Sequence, residues 1–259
     1  MQSKEVEILG CRFDAVTERE AIEQIFRWRD ASDRQSHTII TVNVAILMMM
    51  RSAPKLARAI RQADMVVTDG MPLVWTSHWL GTPVPVRESG TTGTDLMLRL
   101  LDVGRERGLR LFLLGTTEVR LTALKEVIAR RYPGVVLAGA RNGYFKPPDY
   151  PEVIRAIRES RADLLLVGMP APFKETWCEE HRAELRTPAI LGVGGAFDVV
   201  AGFVPRAPVA LQKAGLEWAW RLVMEPRKLW KRYLVTNAQF LALLSKTLVK
   251  GALLRRQRG

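Results

Sequence analysis

The chain has 259 residues, 47% of them hydrophobic, which is enough to bury a full core in one domain or two. Its net charge of +12 is concentrated at one end: residues 1–205 carry +2, whereas residues 206–259 carry +10, from 12 basic and two acidic side chains. Two cysteines exclude a disulfide framework, and the first ten residues lack the apolar run of a signal peptide. We therefore expect a reducing, bacterial-type cytoplasm.

Short β-rich runs alternate with helical patterns over the first 205 residues. The expected strands are residues 6–13 (a strand or hairpin), 38–42, 65–68, 109–114, 135–140, 164–167 and 190–193. The expected helices are residues 18–28, 45–50, 54–62, 73–79, 94–107, 118–132, 151–160 and 173–185, and residues 81–89 form a proline-containing loop. Such alternation favours right-handed βαβ units. Residues 1–205 are therefore predicted to be an α/β domain with a Rossmann-like, mostly parallel sheet and helices on both faces.

The basic end of the chain, residues 206–259, is predicted to be an amphipathic helical appendage. It contains three tryptophans and an apolar pattern of Leu216, Leu222, Val223, Leu229, Tyr233 and Leu234. No run reaches the roughly 18 apolar residues of a spanning helix, because residues 234–254 include two lysines and two amides. A basic, aromatic segment can also bind nucleic acid, through phosphate contacts and base stacking. The leucine pattern is better suited to a helix that lies on an anionic membrane.

Polar residues follow several of the expected strands, at the edge where open α/β sheets bind ligands. They are Thr41, Asn43, Asp69, Thr116, residues 142–144, residues 169–174 and Asp198, and a glycine-lined strand end lies at residues 192–195. Asn, Asp, Thr and Gly also dominate turns and helix caps for local reasons. Position alone therefore does not separate a binding role from a local one.

Several motifs resemble the WecG/TagA/CpsF family, glycosyltransferase family 26. They are TVN at residues 41–43, ADMVVTDGMP at 63–72, GMPAP at 168–172, GVGGAFDVVAGFVPRAP at 192–208, GLEW at 215–218 and EPRKLWKRYL at 225–234. The similarity extends from about residue 38 to about residue 233. Members transfer a sugar from a nucleotide donor to a polyprenyl-diphosphate-linked acceptor at the cytoplasmic membrane. The resemblance implies an inverting transferase in cell-surface polysaccharide synthesis, peripheral to the bacterial inner membrane.

The resemblance also implies roles for individual residues. The family's proposed general base corresponds to Asp69, with Thr41 and Asn43 lining the same pocket. The uracil contact corresponds to Asp198, and Tyr144 lies in a Gly-Tyr element near the donor. The positions implied to complete the site over the diphosphate are all in the appendage: Arg221, Arg227, Lys228, Lys231 and Arg232. The implied partners are a UDP-sugar, a polyprenyl-diphosphate-linked glycan and an anionic membrane, with no nucleic acid. A homo-oligomer is allowed.

Two departures from the family pattern affect the expected specificity. Lys174 stands beside Glu175 where the family usually has a glutamine, and we predict that its ammonium faces the donor and favours a uronic acid. In the alternative, Lys174 points to solvent or pairs with the diphosphate. Lys228 and Lys231 occupy positions that are often arginine, and the two residue types are not equivalent at a bidentate phosphate site. The donor sugar is left open among N-acetylmannosamine, its uronic acid, glucuronic acid and neutral hexoses.

The sequence contains no recognisable motif for a metal site or a cofactor. There is no Asp-x-Asp sequence, and His37, His78 and His181 lack ligand spacing, so we predict no metal and no cofactor. A dinucleotide-dependent oxidoreductase would carry Gly-x-Gly-x-x-Gly after an early strand, whereas the glycines here follow the last expected strand. The remaining alternative is a nucleic-acid-binding α/β protein that uses the basic, tryptophan-rich tail.

Overall fold

The computed structural model describes residues 4–86 and 92–256; within the last helix, the side chains of residues 228, 251, 252 and 254–256 are outside the described part. The strands are β1 (Glu5–Ile8), β2 (Cys11–Asp14), β3 (His37–Val42), β4 (Met65–Thr68), β5 (Arg110–Gly115), β6 (Val136–Arg141), β7 (Leu164–Gly168) and β8 (Ala189–Gly192). The helices are α1 (Glu18–Asp30), α2 (Val44–Met49), α3 (Pro54–Gln62), α4 (Met71–Trp79), α5 (Gly93–Glu106), α6 (Glu118–Arg131), α7 (Tyr150–Glu159), α8 (Phe173–Leu185), α9 (Ala196–Val200), α10 (Val209–Lys213), α11 (Glu217–Met224) and α12 (Pro226–Arg256).

Six strands form one parallel sheet in the order β4-β3-β8-β7-β5-β6. The predicted α/β class and parallel sheet are confirmed. Of the two alternatives predicted for residues 6–13, the hairpin is correct: β1 and β2 form an antiparallel pair separate from the six-stranded sheet. Asp14 ties this hairpin to the sheet, because its carboxylate accepts a hydrogen bond from the Val66 N–H at 2.8 Å.

Alternate residues of each strand pack on opposite faces of the sheet, as the two-residue period of a strand requires. In β5, Leu111 and Leu113 join a cluster with α1, α5, α6 and α9, whereas Phe112 and Leu114 pack with α7 and α8. Both faces are therefore covered, which explains why the strand sequences are continuous apolar runs rather than alternating ones.

The ends of β3, β4 and β8 lie side by side at the carboxyl edge of the sheet. The side chain of Asn43 caps α2 by accepting a hydrogen bond from the Ile46 N–H at 3.0 Å, so β3 turns directly into a helix. After β8 the chain turns at Gly194, whose φ of 53° is in the left-handed region that glycine adopts readily. Asn43 and Asp69 meet at this edge.

The basic tail packs on the α/β core. Phe240 and Leu244 of α12 are buried in the same cluster as Ile8, Leu47 and Leu56, and α12 lies along α2. The tail's predicted helical character is confirmed, although α11 begins only after Leu216. Among the described residues, no helix combines the length and the hydropathy that crossing a bilayer requires.

Candidate active site

The carboxylate of Asp69, at the end of β4, is held by two donors. Its Oδ2 accepts a hydrogen bond from the Asn43 side-chain amide at 3.1 Å, and its Oδ1 accepts one from the Gly93 N–H at 2.8 Å. Gly93 is the first residue of α5, so the positive end of that helix faces the carboxylate. Asp69 is thereby fixed in orientation while remaining partly exposed to a cavity. Such a carboxylate is placed to take a proton from a bound hydroxyl.

Thr41 lies beneath this pair rather than beside it. Its side chain is buried, its hydroxyl donates to the Gly192 carbonyl at 3.2 Å, and its Oγ1 would lie 3.4 Å from a Cβ placed on Gly93. Thr41 therefore joins the ends of β3 and β8 and packs under the first turn of α5. The structure brings Asp69 and Asn43 together at the cavity and places Thr41 behind them.

The cavity has a volume of about 440 Å³ and opens between the sheet edge, α4 and the tail. Its polar lining includes Asn43, Asp69, Arg206, Glu217 and Arg221. Its apolar lining includes Trp75 and Trp79 of α4 and Phe240, Leu241 and Leu244 of α12. A molecule that fills it would present a polar part to Asp69 and an apolar part to α4 and α12.

Arg221 of α11 lies at the glycine-lined end of β8. Its guanidinium contacts Gly195 so closely that any side chain on that residue would displace it. Its Nε is buried and has no hydrogen-bond partner among the described residues, and Glu225 approaches it only to 3.9 Å. A guanidinium with an unused donor suits an anionic oxygen ligand.

Three other predicted tail cations do not line the cavity. Arg227, Lys231 and Arg232 are exposed, with Lys231 Nζ 5.5 Å from the centre of the Trp230 ring and the Arg232 guanidinium carbon 5.3 Å from that of Tyr233. Lys228 belongs to α12, but its side chain is outside the described residues. Of the predicted cations whose side chains the structure describes, Arg221 alone lines the cavity.

Asp198 and Tyr144 lie at a second region of the same sheet edge. The Asp198 carboxylate is buried and accepts hydrogen bonds from Arg120 Nη1 at 2.6 Å and from the Thr116 hydroxyl at 3.0 Å. Gly143 contacts the end of β5. Tyr144 follows Gly143 in the chain and is 78% exposed. Neither residue lines the cavity.

Arg120 was not predicted from the sequence. Its guanidinium carbon lies 5.3 Å from the centre of the Phe203 ring, and one of its nitrogens binds Asp198. Nothing in the spacing of α6 distinguishes Arg120 from the other surface arginines of that helix. Only the sheet topology, which places the start of α6 beside α9, reveals the contact.

Lys174 is buried with Glu175 behind the glycine-lined strand end. The two side chains are 5% and 4% exposed, the Lys174 ammonium donates to a Glu175 oxygen, and the Lys174 stem passes close to Gly192. Burial lowers the pKa of Lys174 to about 8, and the charge of Asp69 opposes that shift. The alternative in which Lys174 points to solvent is wrong. It lines a small pocket with Thr41 and not the large cavity, so its role toward the donor stays a prediction.

Replacing Lys174 by Met is expected to lower the free energy of unfolding by about 3–5 kcal/mol, because Glu175 would be left buried without a counter-charge. Urea unfolding of the purified variant measures this. Lys55→Met is the matched control, since Lys55 pairs with Glu180 at 2.9 Å on the surface and should cost about 1 kcal/mol or less. Equal losses of unfolding free energy in the two variants would show that the buried pair stabilises the fold no more than the surface pair does.

A parallel α/β sheet with an oriented carboxylate at its carboxyl edge, facing a cavity with an arginine in its polar lining, defines a group-transfer enzyme of the α/β class. Within the described residues, no three His, Cys, Asp or Glu side chains converge as metal ligands. The model of the WecG/TagA/CpsF glycosyl transferase family matches residues 6–253. The chain belongs to this family and is a glycosyltransferase, which confirms the resemblance seen in the motifs.

Curated relatives extend over most of the chain. A protein of Staphylococcus aureus strain MW2 is 31% identical over 227 residues, which cover 88% of this chain and 86% of the relative. A protein of strain NCTC 8325 / PS 47 is 30% identical over the same coverage. Both are named N-acetylglucosaminyldiphosphoundecaprenol N-acetyl-beta-D-mannosaminyltransferase.

Proposed function

We propose that this glycosyltransferase moves an N-acetylmannosaminyl group from UDP to a polyprenyl-diphosphate-linked N-acetylglucosamine in cell-surface polysaccharide synthesis. The observation that carries the proposal is the Asp69 carboxylate, held by Asn43 and Gly93 in a cavity that has both polar and apolar lining residues. A sugar diphosphate on an isoprenoid has the same division into polar and apolar parts. The names of the Staphylococcus aureus relatives support this choice of donor sugar and acceptor.

The chemistry requires one displacement. Asp69 takes the proton of the acceptor hydroxyl as its oxygen attacks the anomeric carbon of the donor. The bond between that carbon and the UDP oxygen breaks, and UDP leaves with the electron pair. Arg221, with an unused buried donor, stabilises the charge that develops on the diphosphate. Attack from the face opposite the leaving group inverts the anomeric configuration.

A neutral donor sugar agrees with the surroundings of Lys174. Its ammonium already has a carboxylate partner in Glu175, so a sugar carboxylate would have to compete with a buried ion pair. A uronic acid donor, which the sequence predicted, is the competing outcome of the donor screen. Homo-oligomer formation stays a prediction.

Purified protein incubated with UDP-N-acetylmannosamine and a lipid-linked N-acetylglucosamine acceptor should give a disaccharide product, detected by mass spectrometry. UDP-glucuronate and UDP-N-acetylmannosaminuronate in parallel reactions test the predicted preference for an acid. The proposal is wrong if no UDP-sugar supports transfer, and its donor is wrong if only the acids do.

The tail offers a surface for docking on an anionic membrane, at the cytoplasmic face of the bacterial inner membrane. Trp230, Leu234 and Leu241 of α12 are exposed, and so is Trp79 of α4 at the mouth of the cavity. The same segment of the chain carries the +10 charge, and each basic side chain near an anionic bilayer contributes about 1 kcal/mol. Docking by this surface would present the cavity to an acceptor whose isoprenoid stays in the membrane.

Replacing both Trp230 and Leu234 by Ser is expected to weaken binding to anionic vesicles at least about tenfold, because two apolar side chains no longer enter the interface. Vesicle flotation measures the bound fraction. Val119→Ser is the matched control, since Val119 is 71% exposed but lies on α6. Unchanged flotation of the double variant would remove α12 from the membrane contact. Binding to oligonucleotides in place of vesicles would favour the nucleic-acid alternative.

A further inference from the structure

A second carboxyl, that of Glu217, lines the cavity together with Asp69. It comes from the tail, at the first residue of α11, whereas Asp69 comes from the sheet. Among the described residues its carboxyl has no hydrogen-bond partner, although it is partly buried. The mechanism proposed above gives it no role.

The position of Glu217 is set by close packing of the segment before it. Gly215 is buried with a φ of 67°, and a Cβ on it would lie 2.6 Å from Met71 Cβ and 2.8 Å from the Trp75 ring. Only glycine allows the tail to approach the start of α4 so closely. Because α4 follows Asp69 directly in the chain, this approach brings Glu217 to the same cavity as the carboxylate.

Two further contacts fix the tail at this place. The Trp220 indole N–H donates to the Pro205 carbonyl at 2.9 Å, and Arg206 forms an ion pair with Asp95 at the start of α5. Arg206, one of two cations whose charge acts on Glu217, is therefore already paired with another carboxylate. Arg221 is the other cation that acts on Glu217.

Burial raises the pKa of Glu217 to about 7, from its ordinary 4.5, and the negative charges of Asp95 and Asp69 add to the rise. The positive charges of Arg206 and Arg221 oppose it and are outweighed. At neutral pH a large share of the Glu217 carboxyls therefore carry a proton while Asp69 acts as a base.

We propose that the neutral carboxyl of Glu217 donates a hydrogen bond to the acceptor sugar, next to the hydroxyl from which Asp69 takes the proton. This inference rests on the proposed function. Asp69 accepts the proton of the attacking hydroxyl, and Glu217 binds a neighbouring hydroxyl or amide oxygen of the same sugar. Glu217 is then a substrate-binding residue that the tail adds to a site otherwise built from the sheet.

The charge state gives this arrangement a pH dependence. The pKa of Glu217 is about 7 in the docked tail and 4.5 when the carboxyl is free in water, so docking favours the protonated form. Protonation therefore stabilises docking fully below pH 4.5, and this contribution is lost as the pH rises through about 7. Above that pH the carboxyl is ionised, donates no hydrogen bond and repels Asp69. We therefore expect the KM for the acceptor to rise through neutral pH.

Steady-state kinetics of the full chain, with UDP-N-acetylmannosamine and a lipid-linked N-acetylglucosamine, test the inference between about pH 6 and about pH 8.5. The wild-type KM for the acceptor should rise about two- to tenfold across this range, as loss of one neutral hydrogen bond implies. In Glu217→Gln the amide cannot ionise and still donates, so KM should stay flat. In Glu217→Ala, KM should be raised and flat, with a smaller change in kcat.

Glu159→Gln is the matched control, because it removes the same charge from an exposed position at the end of α7, away from the cavity, and should keep the wild-type pH dependence. Limited proteolysis of the tail verifies that it is docked in each variant. A Gln variant that retains the alkaline rise in KM, or one as impaired as the Ala variant at every pH, would overturn the neutral donor. Absence of transfer by the wild type with every UDP-sugar would instead overturn the proposed function.

Discussion

Asp69→Asn should lower kcat for sugar transfer about 10²–10⁴-fold, the usual contribution of a general base. The amide has the shape of the carboxylate but cannot accept the proton of the acceptor hydroxyl. Asn43 and Gly93 both donate to Asp69, so an amide NH₂ would also face one of these donors and lose a hydrogen bond. Transfer should be measured with saturating substrates, and folding checked by thermal unfolding.

Asp64→Asn is the control for this experiment. Asp64 precedes β4 at its other end, where its carboxylate accepts hydrogen bonds from the Thr38 N–H at 2.9 Å and from Arg182 at 3.0 Å, away from the cavity. This variant should lose some stability and keep kcat near that of the wild type. Wild-type turnover by folded Asp69→Asn would remove Asp69 from the chemical step.

Arg221→Ala is expected to lower kcat about 10²–10³-fold, the effect of removing one donor that stabilises developing negative charge. Arg221→Lys should recover part of the loss, because an ammonium supplies the charge without the planar fork. UDP release in a single turnover measures the step directly. The exposed Lys213, at the end of α10, gives the matched control Lys213→Ala.

Two readouts separate the chemical role of Arg221 from a structural one. The Arg221→Ala tail should resist proteolysis as the wild type does if Trp220 and Gly215 hold it in place. Intact docking together with unchanged UDP release would show that Arg221 does not stabilise the leaving diphosphate.

The strands and their order of appearance could be predicted because parallel strands buried on both faces are short apolar runs. The positions of Asp69 and Asn43 at strand ends could be predicted for the same reason, whereas their roles were implied only by the resemblance to the family. Their hydrogen bond could not, because it depends on β3 and β4 being neighbours in the sheet. The position of Thr41 could not be predicted either. It lies beneath Asp69 and Asn43 because it contacts Gly192 and Gly93, which are far away in the chain.

The tail was predicted less completely than the sheet. Its charge and helical pattern are visible in the sequence, but the burial of Phe240 and Leu244 against α2 is a tertiary contact that periodicity does not specify. Glu217 lies in the GLEW motif, but the motif alone does not show that Gly215 brings this carboxyl to the cavity of Asp69. The roles of these residues depend on residues that they contact elsewhere in the fold.

The packing of α12 on α2 connects the tail to the Asp69 carboxylate. Asn43 both caps α2 and donates a hydrogen bond to Asp69, so the orientation of the carboxylate depends on where α2 begins. In the membrane docking proposed above, a bilayer that holds α12 would also act on α2, the helix that Asn43 caps. Membrane contact and the orientation of the Asp69 carboxylate would then be coupled through one short helix.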